Sequence, residues 1–139
     1  MWLTYALLSA VFAALTAILA KIGVANINSN LATAIRTTVI LGFAWMIVWF
    51  QGGKIRWERI DEKTWVFLVL SGLATGLSWL FYFRALQIGE ASKVAPIDKL
   101  SLVMTVVLAA IIFKEKLTML GWVGVVLMTV GATLIGIAS

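Results

Sequence analysis

The sequence predicts an all-α integral membrane protein with five transmembrane helices. Three observations carry this: 63% of the 139 residues are hydrophobic, the mean hydropathy is +1.06, and the apolar residues fall into five runs of membrane-spanning length, separated by short polar links. A soluble domain of this size cannot hide so much apolar surface, whereas a bilayer accepts it. The spans are expected at about residues 2–20, 31–50, 65–83, 94–113 and 119–137, within a single domain over 1–139. There is no cysteine and no histidine, so disulfides, thiolate chemistry and the common zinc sites are excluded. No metal or cofactor is expected. The formal charge of +5 sits at helix ends and in short loops, where it reads as topology signal and contact with lipid headgroups; nucleic acid is not an expected partner.

The first run is uncharged until Lys21 and, at 1.5 Å per residue, spans about 28 Å, close to a hydrocarbon core of about 30 Å. It lacks the amino-terminal cation of a signal peptide and reads as a span. Ser9, Ala13, Thr16 and Ala20 recur along it at helical spacing, a stripe suited to close helix packing. The link 21–30, with Gly23 and three asparagines, has turn composition.

The second span carries Arg36 less than two turns in, with Thr33 and Thr37 beside it. An ionisable residue costs roughly 2.5–3.5 kcal/mol at the centre of a membrane helix and less near an interface. Arg36 either snorkels or faces a polar cavity, and the neighbouring threonines favour the cavity. The loop 51–63 is rich in both signs of charge and reads as solvated surface.

In the third span Ser71, Thr75, Ser78 and Tyr82 are spaced four, three and four apart, which places them on one face. Such hydroxyls line a polar path or bond back to their own helix. Trp79 lies well inside this span, as a lipid-facing side chain or an aromatic cavity wall, while Trp2, Trp49, Trp57, Trp65 and Trp122 fall near span ends and read as an interfacial belt.

The stretch 89–118 organises the chain. A short polar turn feeds a span whose first two turns hold the sole proline, Pro96, then Asp98 and Lys99, before fourteen uncharged residues lead to Lys114. An acid and a base inside a span need partners or water, which makes Asp98 and Lys99 candidates for function. Asp98, Ser101 and Thr105 continue a polar stripe at three and four. The fifth span is uncharged, and Gly124, Met128, Gly131 and Ile135 form a small-residue seam expected to pack against another helix, with Gly124, Met128 and Gly131 as the dimer contacts.

Five spans put the termini on opposite sides. Lys54, Arg56, Arg59, Lys63, Lys114 and Lys116 lie on the amino-terminal side, and Lys21, Arg36, Arg84, Lys93 and Lys99 on the other, six cations against five. The positive-inside rule then gives little preference, although setting aside the embedded Arg36 and Lys99 leaves six against three and a modest bias to a cytoplasmic amino terminus. Near-balance suits dual topology, and with an odd number of spans opposed copies form an inverted repeat.

The stretches FYFRALQIGEASKVAPIDKLS and FKEKLTMLGWVGVVLMTVGATLIG resemble the EamA-domain branch of the drug/metabolite transporter superfamily, and the likeness extends over essentially the whole chain. It implies a five-helix half of a ten-helix inverted-repeat transporter, completed by dimerisation, in the cytoplasmic membrane of a prokaryote. The chain departs from the four-helix branch by its fifth span and by having no carboxylate in the first, so that branch's multidrug-cation mechanism is not implied.

The leading expectation is a secondary transporter of a small metabolite or drug-like solute, working as an antiparallel homodimer with a midplane cavity. Arg36 and Lys99 attract an anionic or zwitterionic group, Trp79 and Tyr82 pack on its apolar part, Ser78 and Ser101 complete the lining, and Asp98 balances charge or carries a coupling proton. Against this stands an internal ion-pair network of Arg36, Asp98 and Lys99 that only fixes helix positions. The alternative function is a non-transporting membrane subunit, or a half-transporter needing a related partner chain. An enzyme is not expected, since there is no GxSxG turn or clustered acidic metal site.

Overall fold

The computed structural model describes residues 1–52 and 60–138. Most of the hydrophilic loop expected at 51–63, with Lys54, Arg56, Trp57 and Arg59, lies outside the described residues, as does Ser139. The described residues form α1 (Trp2–Gly23), α2 (Ser29–Gln51), α3 (Glu62–Ile88), α4 (Ala91–Asp98), α5 (Leu100–Ile112) and α6 (Met119–Ile137), with no strand among them. Five segments are long and apolar enough to cross a membrane, α4 and α5 together making the fourth, Ala91–Ile112. Large apolar side chains point outward along these helices; Phe50 is 82% exposed and Leu120 81%. Such a surface is stable in lipid and not in water.

Two compact units divide the chain, one formed by Met1–Leu19 with Ile88–Ser139 and the other by Ala20–Gln87. In the second unit, Ala20 and Val24 from the end of α1 and the turn after it, Ser29, Ala32 and Thr33 from the first turns of α2, and Phe83 and Leu86 near the end of α3 are buried. Small residues dominate on α1 and α2. In lipid, close packing rather than hydrophobic drive holds helices together, and small side chains permit it.

Local sequence sets the helix ends. Asn28, extended at φ −60° and ψ 131°, caps α2: its side-chain oxygen accepts from the backbone N–H of Asn30 at 2.8 Å and of Leu31 at 3.4 Å, which satisfies donors that have no intrahelical partner. Gly52 ends α2 with φ +54°, a conformation open to glycine at little cost. Asp61 caps α3 by accepting from the backbone N–H and the hydroxyl of Thr64. Helix α3 runs on to Ile88 and leaves only Gly89 and Glu90 before α4, so Arg84 and Gln87 stand on a helix rather than in a link.

In the first unit the fourth span is not one continuous helix. Pro96 lies inside α4, and Lys99, at φ −69° and ψ −6°, is a turn residue between α4 and α5 whose N–H is shared between the carbonyls of Ala95, 3.2 Å, and Pro96, 3.1 Å. Proline removes one helical donor and its ring crowds the preceding turn, and the helix departs from α geometry three residues later. Helix α4 packs on α6, and Gly136 makes this possible, because a Cβ there would fall on the side chain of Ile97. Thr118 caps α6 through its hydroxyl, which accepts from the N–H of Gly121 at 3.2 Å.

Candidate functional site

The second unit brings Arg36, Trp79 and Tyr82 together and adds Phe83. The guanidinium carbon of Arg36 lies 3.6 Å from the centroid of the Trp79 ring and 5.7 Å from that of Phe83. Trp79 meets Tyr82 edge-on at 5.3 Å and 88°, and Phe83 at 5.9 Å and 66°. Helical spacing explains the group: residues 79, 82 and 83 are three and four apart, so their rings share one face of α3, and α2 supplies the cation. The negative face of an indole ring stabilises a guanidinium by about 0.5–2 kcal/mol, the upper end applying when water is excluded. Among the described residues Arg36 makes no ion pair with a carboxylate. Stacking holds the planar group by its face and leaves its in-plane N–H donors directed outward, the geometry that binds carboxylate or phosphate.

Trp79, read from the sequence as a lipid-facing side chain or an aromatic cavity wall, is thus in contact with the Arg36 cation. Ser78, next to it on α3, is exposed.

Asp98, Lys99 and Ser101 belong to the first unit. The amine of Lys99 lies 3.2 Å from Asp98 Oδ2, and both side chains are partly exposed, 52% and 32% respectively. A pair of adjacent residues this exposed is weak. Lys99 sits at the break between α4 and α5, so the acid and base lie where the backbone leaves regular helix. The carbonyl of Ser101 accepts from the Thr105 hydroxyl at 2.8 Å.

Hydroxyls along the spans largely bond to their own helices. Thr16, Thr33, Thr37, Thr75 and Thr105 each donate to the carbonyl four residues earlier, at 2.7–2.9 Å. This is the local bonding that lets threonine sit in a membrane helix at small cost.

Sequence reasoning missed a second polar group, at the end of α3. Lys21 Nζ donates to the carbonyl of Leu86 at 2.5 Å, the Gln87 amide donates to the carbonyls of Val24, 3.2 Å, and Ile27, 2.7 Å, and Gln87 Oε1 accepts from Arg84 at 2.8 Å. These bonds tie the α1–α2 turn to α3. The signal was available in part: a lysine just past one span and a glutamine just past another are both suited to unpaired helix-end carbonyls. Phe83 was missed too, although its spacing from Trp79 points to it.

Five membrane-length segments among the described residues, with a cation on one of them held against aromatic rings of the next, define a multi-pass membrane protein. Residues 1–137 match the EamA-like transporter family, and the chain belongs to that family. It is 52% identical over 136 residues to an uncharacterized transporter encoded in the cobO 3′ region of a Sinorhizobium species, a match covering 98% of this chain and 96% of that one. It is also 31% identical over 88 residues to a probable 4-amino-4-deoxy-L-arabinose-phosphoundecaprenol flippase subunit, ArnE, of Pseudomonas fluorescens, covering 63% of this chain and 75% of the relative. An uncharacterized protein of Methanocaldococcus jannaschii is 30% identical over 79 residues, 57% of this chain and 58% of the relative. No solved structure is significantly similar to the chain.

Proposed function

We propose that this protein is the half-unit of a secondary transporter in a prokaryotic cytoplasmic membrane, and that two copies assemble antiparallel to move a small metabolite or drug-like solute bearing an anionic group through a midplane cavity. The observation that carries this reading is the Arg36 guanidinium stacked 3.6 Å over Trp79 within a membrane span. A charge kept there without a carboxylate partner among the described residues is costly, and binding an anion is a use that repays its retention. Arg36 binds the anionic group, Trp79, Tyr82 and Ser78 contact the rest of the solute, and Asp98 carries the coupling proton. Membership of a transporter family supports the activity.

Two features support the dimer. Cations are nearly balanced between the two sides of a five-span chain, and a Cβ added at Gly124 or Gly131 on α6 would meet nothing within 4 Å, which leaves that seam open to a second helix. Uptake into proteoliposomes by Arg36→Gln and Asp98→Asn variants, both confirmed folded, tests the transport reading: wild-type rates in both would sink it.

A second reading has its own support, in that one relative is named as a flippase subunit: the chain works with a related partner chain instead of a second copy. Single cysteines at Ala138, in a sequence with no cysteine of its own, separate the two. Labelling of about half the termini from outside intact cells, with crosslinks through Gly124→Cys, indicates opposed copies; labelling from one side alone rules out opposed copies and leaves a parallel assembly or an oppositely oriented partner chain.

A further inference from the structure

We propose that a groove between the start of α2 and the last turns of α3 holds an anionic phospholipid from the surrounding bilayer. The groove has a volume of about 530 Å³ and is lined by Asn28, Ser29 and Asn30 from the start of α2 and by Leu77, Leu80, Phe81 and Arg84 from α3. Arg36 is not part of its lining, so the site goes beyond the transport reading.

Its polarity runs along the helix. Leu77 and Arg84 are seven residues apart, about 10 Å along the axis of α3. Arg84 is near the end of a membrane-length helix, where headgroups lie, and Leu77 is nearer the hydrocarbon. A phosphate at the interface joined to an acyl chain that descends beside the leucines has the same order. Phe81 and Leu77 are 73% and 57% exposed, so the groove opens to the side, as entry from a leaflet requires.

Arg84 supplies the charge. Gln87 Oε1 accepts from its Nη1 at 2.8 Å while the Gln87 amide is held by the carbonyls of Val24 and Ile27. The guanidinium is thus positioned from behind, with further N–H donors left for a ligand. Among the described residues Arg84 makes no ion pair, and no carboxylate lines the groove. The helix start contributes less, since Asn28 already accepts from the N–H groups of Asn30 and Leu31. Arginine pairs bidentately with phosphate, and a phosphatidylglycerol headgroup has no cation of its own to compete with it, unlike phosphatidylcholine.

The test is native mass spectrometry of the full chain released from bilayers of phosphatidylcholine with a minority of phosphatidylglycerol. Wild type is expected to retain phosphatidylglycerol well above its share of the mixture, Arg84→Gln to retain lipids in the mixture's ratio, and Arg84→Lys to keep part of the preference. Leu80→Trp fills the apolar half without touching the charge and is expected to lose the retained lipid, which keeps the proposal testable should Arg84→Gln misfold. Retention in the mixture's ratio by wild type, or an undiminished preference in folded Arg84→Gln, overturns the proposal. So does displacement of the lipid by free glycerophosphoglycerol at equal concentration, which would assign the site to the headgroup alone.

Discussion

Lys21, at the end of α1, donates through its amine to the carbonyl of Leu86, a fully buried residue in the last turn of α3, at 2.5 Å. The last carbonyls of a helix have no intrahelical donor, and a cation there also meets the negative end of the helix dipole. Hydrogen bonds to charged groups contribute about 1.5–3 kcal/mol, and removing the amine leaves a carbonyl beside a buried side chain. Lys21→Met is therefore expected to lower stability by about 1–3 kcal/mol and Lys21→Arg by less, read from thermal unfolding in detergent. Equal melting temperatures for wild type and Lys21→Met would show that another donor replaces the amine.

The stack of Arg36 on Trp79 gives a prediction about coupling. Trp79→Leu removes the aromatic face but keeps an apolar side chain in the span, and Arg36→Met removes the charge. If the 3.6 Å contact is a stabilising cation–π pair, the double variant is more stable than the sum of the two single effects implies, by about 0.5–2 kcal/mol. Arg36→Met alone is expected to keep or raise stability, because the desolvated charge is gone, and to abolish uptake. Additive effects in the unfolding cycle would remove the pair as a source of stability.

The glycines of α6 are expected to separate into two kinds. At Gly136 a Cβ would fall on the side chain of Ile97, whereas at Gly124 and Gly131 it would meet nothing within 4 Å. Overpacking of a filled contact costs about 1–3 kcal/mol, moderated here because the obstacle is the end of a side chain. Gly136→Ala is expected to lower the melting temperature, and Ile97→Val, which removes Cδ1, to recover part of the loss. Gly124→Leu and Gly131→Leu should leave the monomer's unfolding unchanged and reduce the dimer captured by an amine-reactive crosslinker if that seam is the dimer contact. A lowered melting temperature for Gly124→Leu without loss of crosslinking would place the seam inside the monomer.

The hydropathy of the sequence made the five membrane-length segments legible, because span length and composition are local properties. It left the ends blurred. Arg84 and Gln87 read as a polar link, yet α3 continues through them, because Lys21 and Gln87 bond to carbonyls around the helix end and make a polar terminus stable against the α1–α2 turn. For Pro96 the sequence leaves two readings, tolerance near a helix start or a kink if it lies deeper, and the break at Lys99 fits the second. Pro96 was visible, but whether a proline is tolerated near a helix start or interrupts the helix depends on where the helix begins, and α4 begins at Ala91, five residues before it. For the site, the face carrying Ser78 and Tyr82 was read from helical spacing, and Trp79 was placed only by its depth in the span. That Arg36 would lie on Trp79 was not legible, since a helix's rotation about its axis is set by its neighbours.

Asp61 supplies a pH-dependent prediction. Donation from the Thr64 hydroxyl, and then from its backbone N–H, holds the exposed Asp61 carboxyl below the usual carboxylate range. With the folded value below the unfolded one, the cap's contribution is fully present above about pH 4, the ordinary value, and is lost as pH falls through the depressed one. Amide exchange of Thr64 and Trp65, corrected for intrinsic rates, is expected to show protection that declines with acidification in wild type. Asn accepts at the same position without titrating, so Asp61→Asn should keep protection and lose its pH dependence, and Asp61→Ala should lose protection at every pH. An Asp61→Asn variant that follows the wild-type acid decline would assign the titration to another group.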